Sequence, residues 1–497
     1  MTDQPLNIVW FKRDLRLEDH PALTRAALAG RVLPLVIVEP GYWLCDDTSH
    51  RHYHYLNTGI EDLAKQLKAR GGQLCVRVGF APEVLAQLHG ELGDFTLWSH
   101  QETGNTWTFA RDKAVTAWAR EAGVTWHQPM TFGIWRGSSL DRDKWAKRWD
   151  AMMDEPVCEL REGASWASAQ SQPLPSAEDL SLEYDGLTWT QPAGRAAGLE
   201  CLNSFLHERG RNYRKEMSTP IEGETACSRL SIHLAYGSLS MREIYQATRA
   251  RLDALEQGVE TAPPGWKGSL RSFVGRLHWH CHFMQKLETE PELEWLPMAR
   301  SYSGIRDDGS DPEKLAAYAE GRTGYPFVDA CLRYLRANGW LNFRMRAMLQ
   351  SFASYNLWLP WQESGLITAR LYSDYEPGIH WTQSQMQSGE TGINTLRIYS
   401  PVKQGHDQDP DGAFTRHWVP ELAHLEGGAI HEPWKAGQQK DYPDAIVDHA
   451  TSARAARERI WSVKKTPEAK AEAERVFEKH GSRKRPRARG RSKSKAA

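Results

Sequence analysis

The sequence predicts two unlike halves: an α/β N-terminal domain built on a parallel sheet, and an all-α domain behind it. Three observations carry this reading. Apolar, β-rich runs alternate with amphipathic stretches at the start of the chain. A stretch rich in Ser, Pro and Gly and without a period follows, "LREGASWASAQSQPLPSAEDLSLEYDGLTWTQPAG". Beyond it the apolar period is helical.

In order, "LNIVWF", "VLPLVIV", "QLCVRVG", "DFTLWS" and "VTWHQ" read as strands, separated by amphipathic segments such as "HPALTRAALAG", "TGIEDLAKQLKARG" and "APEVLAQLHGEL". Strand alternating with helix is the pattern of a parallel layer. "FKRDLRLEDHPAL" follows the first strand where a dinucleotide fold would carry G-x-G-x-x-G, so any ligand of this half is expected at the carboxyl ends of the strands. The helical runs are "AAGLECLNSFLHERG", "SMREIYQATRARLDAL", "SLRSFVGRLHWHCHFMQKLE" and "PFVDACLRYLRANGWLNFRMRAMLQSFASYNLWL". We divide the chain into an α/β domain (1–135), a linker (136–195), a helical domain (196–450), and a charged helix with a basic tail expected to be disordered at its end (451–497).

The 497 residues suggest two to four domains. With no long apolar window, and charges where a signal peptide has its apolar core, the chain reads as cytoplasmic, with no membrane partner. Its 7 Cys are scattered without Cys-x-x-Cys, against a disulfide framework, a zinc ribbon or a thiolate-held cluster. The net charge of -1 hides a basic end, "SRKRPRARGRSKSKAA", suited to phosphate backbones or to simple solvation. The 21 Trp fit packing, a pocket for a flat aromatic ligand, or an electron relay.

Four stretches invite chemistry. Residues 374–405 lack a sustained period and are crowded with Gly, Gln, Asn and aromatic residues, the look of a long functional loop. "CSRLSIHLAYGSLS" sets Cys227, Ser228, Arg229 and Ser231 before an apolar run, as an anion-binding helix start or an ordinary cap would be. "RLHWHCHFMQ" places His278 and His282 four apart, but without a third ligand no metal is expected. "TGYPFVDACLRYLRANGWLNFRMRAML" gathers Trp340, Asn342, Phe343, Arg344 and Arg346, with Arg346 and Asp374 as a buried ion pair, structural or facing an imide-edged heterocycle.

Together "NIVWFKRDLRLEDHPAL", "SRLSIHLAYGSLS", "TGYPFVDACLR" with "GWLNFRMRAM", and "RIYSPVKQGHDQDPDGAFTRHWVPEL" resemble the photolyase/cryptochrome flavoprotein family. The resemblance implies a Rossmann-like antenna domain, a linker and a helical domain holding FAD, with residues 374–405 wrapping its ring. It implies blue-light-driven electron transfer from reduced FAD to a pyrimidine dimer in DNA, or signalling to a protein partner. It assigns cofactor contacts to Tyr213, Ser228, Arg229, Leu230, Ser231, Arg276, Trp340, Asn342, Arg346 and Asp374, with Gly378 opposite flavin N5. "HQETGNTWTFARD" stands where the family can bind a second, antenna chromophore, whose identity the sequence leaves open.

Other positions depart from the family. Ser272 and Gly275 replace Glu and Trp, Ser384 replaces a stacking Trp, and Phe343 and Ala347 replace Asn and Met. Unless Trp266, Trp279 or Trp381 substitutes, the clamp on a dimer is missing. The usual chain of three Trp appears as Thr382, Trp361 and Tyr318, so the expected catalytic relay runs from Trp381 through Trp361 to Tyr318 outside.

Overall fold

In a computed structural model of the chain, which describes residues 4–137, 140–308, 310–435 and 437–482, the five strands form one parallel sheet. They are β1 (Leu6–Phe11), β2 (Arg31–Val38), β3 (Cys75–Val78), β4 (Thr96–Trp98) and β5 (Trp126–His127), in the order β3-β2-β1-β4-β5. Asn7 pairs with Val32 on one side and Thr96 on the other. Helices α1 (Pro21–Ala29), α2 (His50–Ala69), α3 (Ala81–Leu92) and α4 (Thr106–Glu121) connect the strands. Val9, Phe11 and Val36 pack on one face, and Ile8, Trp10 and Leu35 on the other. Burial on both faces is why β1 and β2 read as continuous apolar runs. The strand order reverses between β1 and β4, so the crevice at their carboxyl ends faces the rest of the chain.

The Ser/Pro-rich stretch runs along the sheet: Val32 N donates to Ser165 O at 2.8 Å, and Ala167 N to Val32 O at 2.8 Å. Behind it come α5 (Met241–Glu256), started by a capping box of Ser240 and Glu243, and the central α6 (Trp266–Thr289). Next are α7 (Pro326–Asn338), α8 (Phe343–Ser351) and α9 (Trp361–Leu371). Gly339, at φ 67°, ends α7 in the left-handed conformation that glycine tolerates best.

Residues 374–405 are not an irregular loop. Pro377 opens and Gly389, at φ 81°, closes a 12-residue helix, α10 (Pro377–Ser388), and a second helix spans Pro401–Gln408. The helix escapes a hydrophobic pattern because its buried side is polar: Thr382, Ser384, Gln385, Gln387 and Ser388 are all buried. Gln385 makes this tolerable, accepting from Met298 N (2.6 Å) and donating to Leu293 O (2.7 Å) and Leu296 O (3.0 Å). The charged segment from 451 is likewise two helices, α11 (His449–Lys464) and α12 (Pro467–His480), separated where Thr466 caps and Pro467 starts the second. The basic tail lies outside the described residues from 483 onward. Among the described residues no helix is long and apolar enough to cross a membrane.

The halves are stapled by buried polar groups. Arg51, with no exposed side chain, donates to Leu335 O, Leu371 O and Arg336 O and pairs with Asp185. Tyr375 donates to Asp47 at 2.7 Å, and Arg13 pairs with Glu376 at 3.0 Å.

Candidate functional site

α8 and the N-terminal approach to α10 bring Arg346 against Asp374. One terminal nitrogen donates to both carboxylate oxygens, at 3.0 and 2.9 Å, while Nε holds Leu341 O at 2.6 Å. The guanidinium lies 4.1 Å from the centre of the Tyr372 ring. Burial works against the Asp374 charge, but Arg346 and a hydrogen bond from Ser231 hold it below the usual carboxylate range. The two partners are unequally covered: Asp374 is 5% exposed and Arg346 27%, so the pair presents its cationic side to open space.

Beside this pair, three more arginines converge on the turn before Ser231–Ala235. Arg209 spends its donors within the protein, on Ser204 Oγ (3.0 Å), Cys201 Sγ (3.3 Å) and the carbonyls of Thr225 (2.9 Å), Ser228 (2.7 Å), Cys201 (3.1 Å) and Cys227. Arg229 holds Gln191 at 3.1 Å and lies 4.0 Å over Trp340, itself in the left-handed region at φ 59°, where a non-glycine residue is strained. Arg276 touches Met217 and the Phe343 ring. None of the three has a carboxylate partner among the described residues. All three and Arg346 face Cys227, whose thiol burial nonetheless pushes up to about 11. Tyr213, buried against Phe205 and Phe273, is pushed up to about 12 by burial, with Arg276 opposing. Arg209, Arg229 and Arg276, gathered without a carboxylate partner among the described residues, would accommodate an anion.

Other expected contacts fall differently. Asn342 uses its side chain on the backbone, capping α8 through Met345 N and donating to Thr219 O. Leu230 is buried. Gly378 is packed so closely on α6 that a Cβ there would stand 2.6 Å from Met284 Cα, so the residue must be glycine. Tyr318 is not an outer residue: it is fully buried with an unpartnered hydroxyl, so it cannot end a relay at the surface. Trp381 and Trp361 are in contact, their ring centroids 5.8 Å apart. His278 bonds Asp150 at 2.8 Å and His282 contacts Arg142, and no group of three or more potential metal ligands occurs among the described residues. Arg209 escaped sequence reading because its carbonyl partners carry no side-chain signal.

α6 leaves open space beside Arg276. A Cβ built on Gly275 meets nothing within 4 Å. Trp279, one turn along, is 38% exposed and Phe343 49%, whereas Trp266 and Trp381 are buried elsewhere. Of the three, only Trp279 has an exposed face.

The crevice at the carboxyl ends of β1 and β2 has a different character. Its cavity of about 70 Å³ is lined by Trp10, Lys12, Tyr42, Glu102, Arg111 and Tyr375 among others. Arg111 pairs with Glu39, Glu102 and Asp112, and Lys12 with Glu102 and Asp112.

Comparison with known proteins agrees with this layout. The family described as "DNA photolyase" matches residues 7–144, and "FAD binding domain of DNA photolyase" matches residues 273–462. The deoxyribodipyrimidine photo-lyase of Streptomyces griseus is 30% identical over 482 residues, covering 91% of this chain and 98% of that one. Cryptochrome-2 of Arabidopsis thaliana is 28% identical over 470 residues, covering 86% and 72%. Among solved structures, a class III photolyase from Agrobacterium tumefaciens superposes with a TM-score of 0.78 at 26% identity, covering 94% of this chain and 99% of that one. With near-complete coverage, the two matched domains in order and the paired Arg346 and Asp374 beside an arginine cluster, this chain belongs to the photolyase/cryptochrome family of FAD-binding proteins.

Proposed function

We propose that the chain is a divergent, light-driven DNA photolyase that binds FAD in its helical half and a flipped-out pyrimidine lesion over α6. Bound FAD supplies light absorption and one-electron chemistry. The residues do the rest. Arg346 and Asp374 offer a donor and an acceptor to the imide edge of the ring. Arg229, whose two terminal nitrogens have no partner among the described residues, and Arg276, with the Ser228 and Ser231 turn, would hold the diphosphate. Trp279 and Phe343 offer faces on which an extruded base stacks, worth about 1–3 kcal/mol per base. Exposed Arg211, Arg214, Lys215 and Lys267 lie around the start of α6, where they meet backbone phosphates.

The observation that carries this reading is the open space at Gly275, next to Arg276 and one turn before the exposed Trp279 on α6, with exposed Phe343 against Arg276. The test is repair of ultraviolet-damaged oligonucleotides by the reduced, illuminated protein. Lesion loss in the wild type that falls about tenfold in Trp279→Ala, with unchanged flavin content, supports it. No repair of cyclobutane or (6-4) lesions would sink it.

A second reading, a cryptochrome-like photoreceptor signalling to a protein partner, is favoured by the lost clamp at Ser272, Gly275, Ser384 and Ala347. A second chromophore is assigned to the N-terminal crevice, where its entry would require the paired charges to open around a cavity with room for only a few waters. The absorption spectrum of the purified protein, before and after flavin extraction, tests this.

A further inference from the structure

Trp381 and Trp361 are buried and meet edge to face. Trp361 contacts no other aromatic ring among the described residues, and Tyr318 is sealed in the core. Trp358, three residues before Trp361, stands between Arg306 at 4.6 Å and Arg459 at 4.8 Å. Two cations over one ring oppose a positive charge on it. An oxidising equivalent that reaches Trp361 therefore has no favourable aromatic neighbour farther out. What Trp361 has is a base. Its Nε1–H donates to Glu390 Oε2 at 3.0 Å, within the reach that proton transfer needs. The other oxygen of Glu390 is paired with Arg306, which is itself anchored to Ser354 O (3.0 Å) and Ser388 O (2.8 Å).

We propose that Glu390 is the proton acceptor of a two-tryptophan relay, so that the relay ends at Trp361 and needs no third ring. The proposal rests on the reading of Trp381 and Trp361 as electron donors to FAD. The oxidant is the light-excited oxidised flavin. One electron leaves Trp381 for it, and one electron leaves Trp361 to refill Trp381. The Nε1–H bond of Trp361 then breaks, its electron pair stays on nitrogen, and the proton forms an O–H bond with Glu390. A neutral indole radical and a carboxylic acid remain, and the electron returns only if the proton returns as well. Burial raises the Glu390 carboxyl to about 7 against the pull of Arg306, which makes its carboxylate a stronger base than a surface glutamate. Asp307, Tyr302 and Tyr355 are the other titratable groups facing it.

Flash photolysis of the FAD-loaded protein tests the proposal, with tryptophan radicals followed by visible absorption and carboxyl stretching by infrared difference. In the wild type at pH 8 a neutral tryptophan radical forms, more slowly in D2O, together with a protonated-carboxyl band. Trp361→Phe removes both signals. Glu390→Gln removes the band, leaves a protonated radical, and shortens its lifetime about 100-fold. Because that variant leaves Arg306 without its anion, Glu390→Asp is measured beside it and restores a neutral radical. A wild-type radical that stays protonated overturns the role of Glu390 and leaves the relay standing. Absence of any tryptophan radical overturns the relay and the proposal together.

Discussion

Two clusters of charge lie in this molecule, and they are built on opposite principles. In the N-terminal crevice, Lys12, Arg111 and Arg136 are matched by Glu39, Glu102 and Asp112. In the helical half, Arg346 pairs with Asp374, and Arg209, Arg229 and Arg276 have no carboxylate partner among the described residues. A buried charge is tolerated only when paired. The first cluster is matched by its own carboxylates, and the second, on the reading proposed above, is completed by the FAD diphosphate. A group of arginines is thus a site or a strut according to its counter-charges, not its residue type.

The comparison is broken most severely at Asp374. Replacing it with Ala leaves Arg346 unopposed among the other cations, and breaking a buried pair costs about 3–5 kcal/mol. The purified Asp374→Ala protein is expected to be colourless; full flavin occupancy, read from the visible spectrum, would refute the assignment. Arg229→Gln tests the anion directly. Loss of one charge-assisted contact, about 1.5–3 kcal/mol, should weaken FAD binding by about one to two decades in a titration of the apoprotein. Glu102→Gln is the control from the other cluster. It should lower the melting temperature by several degrees and leave FAD affinity unchanged, because Arg111 and Lys12 lose a partner that no ligand replaces.

The smallest effect concerns the seam between the clusters. Glu376 is raised from 4.5 to about 7 by burial, against the pull of Arg13. Its folded form therefore holds a proton that the unfolded chain releases, and its contribution to stability is lost as pH climbs from about 4.5 to about 7. Melting curves across that range should flatten in Glu376→Gln. An unchanged slope would mean that Arg13 holds the carboxylate charged.

The strands and long helices were legible in the sequence because their periods are written in apolar residues, as in the doubly buried run of β2. The helix α10 was not, since Gln385 and its polar neighbours are buried and satisfied by the backbone of another segment. Arg346 and Asp374 were found through family motifs. Arg209 and Glu390 were not, because one binds mostly backbone carbonyls and the other is a single carboxylate in a loop, and neither has a signal short of the fold.

Arg51 holds the carbonyl ends of α7 and α9 from the N-terminal half with a single guanidinium. Helix carboxyl ends carry partial negative charge, so one cation here serves two helices at once. In mechanical terms it is a rivet rather than a hinge. Scanning calorimetry should show one endotherm for both halves, and a protease cut near residue 170 should leave fragments that still migrate together under native conditions. The separation between the N-terminal crevice and the arginine cluster is then fixed, with no domain swing to change it.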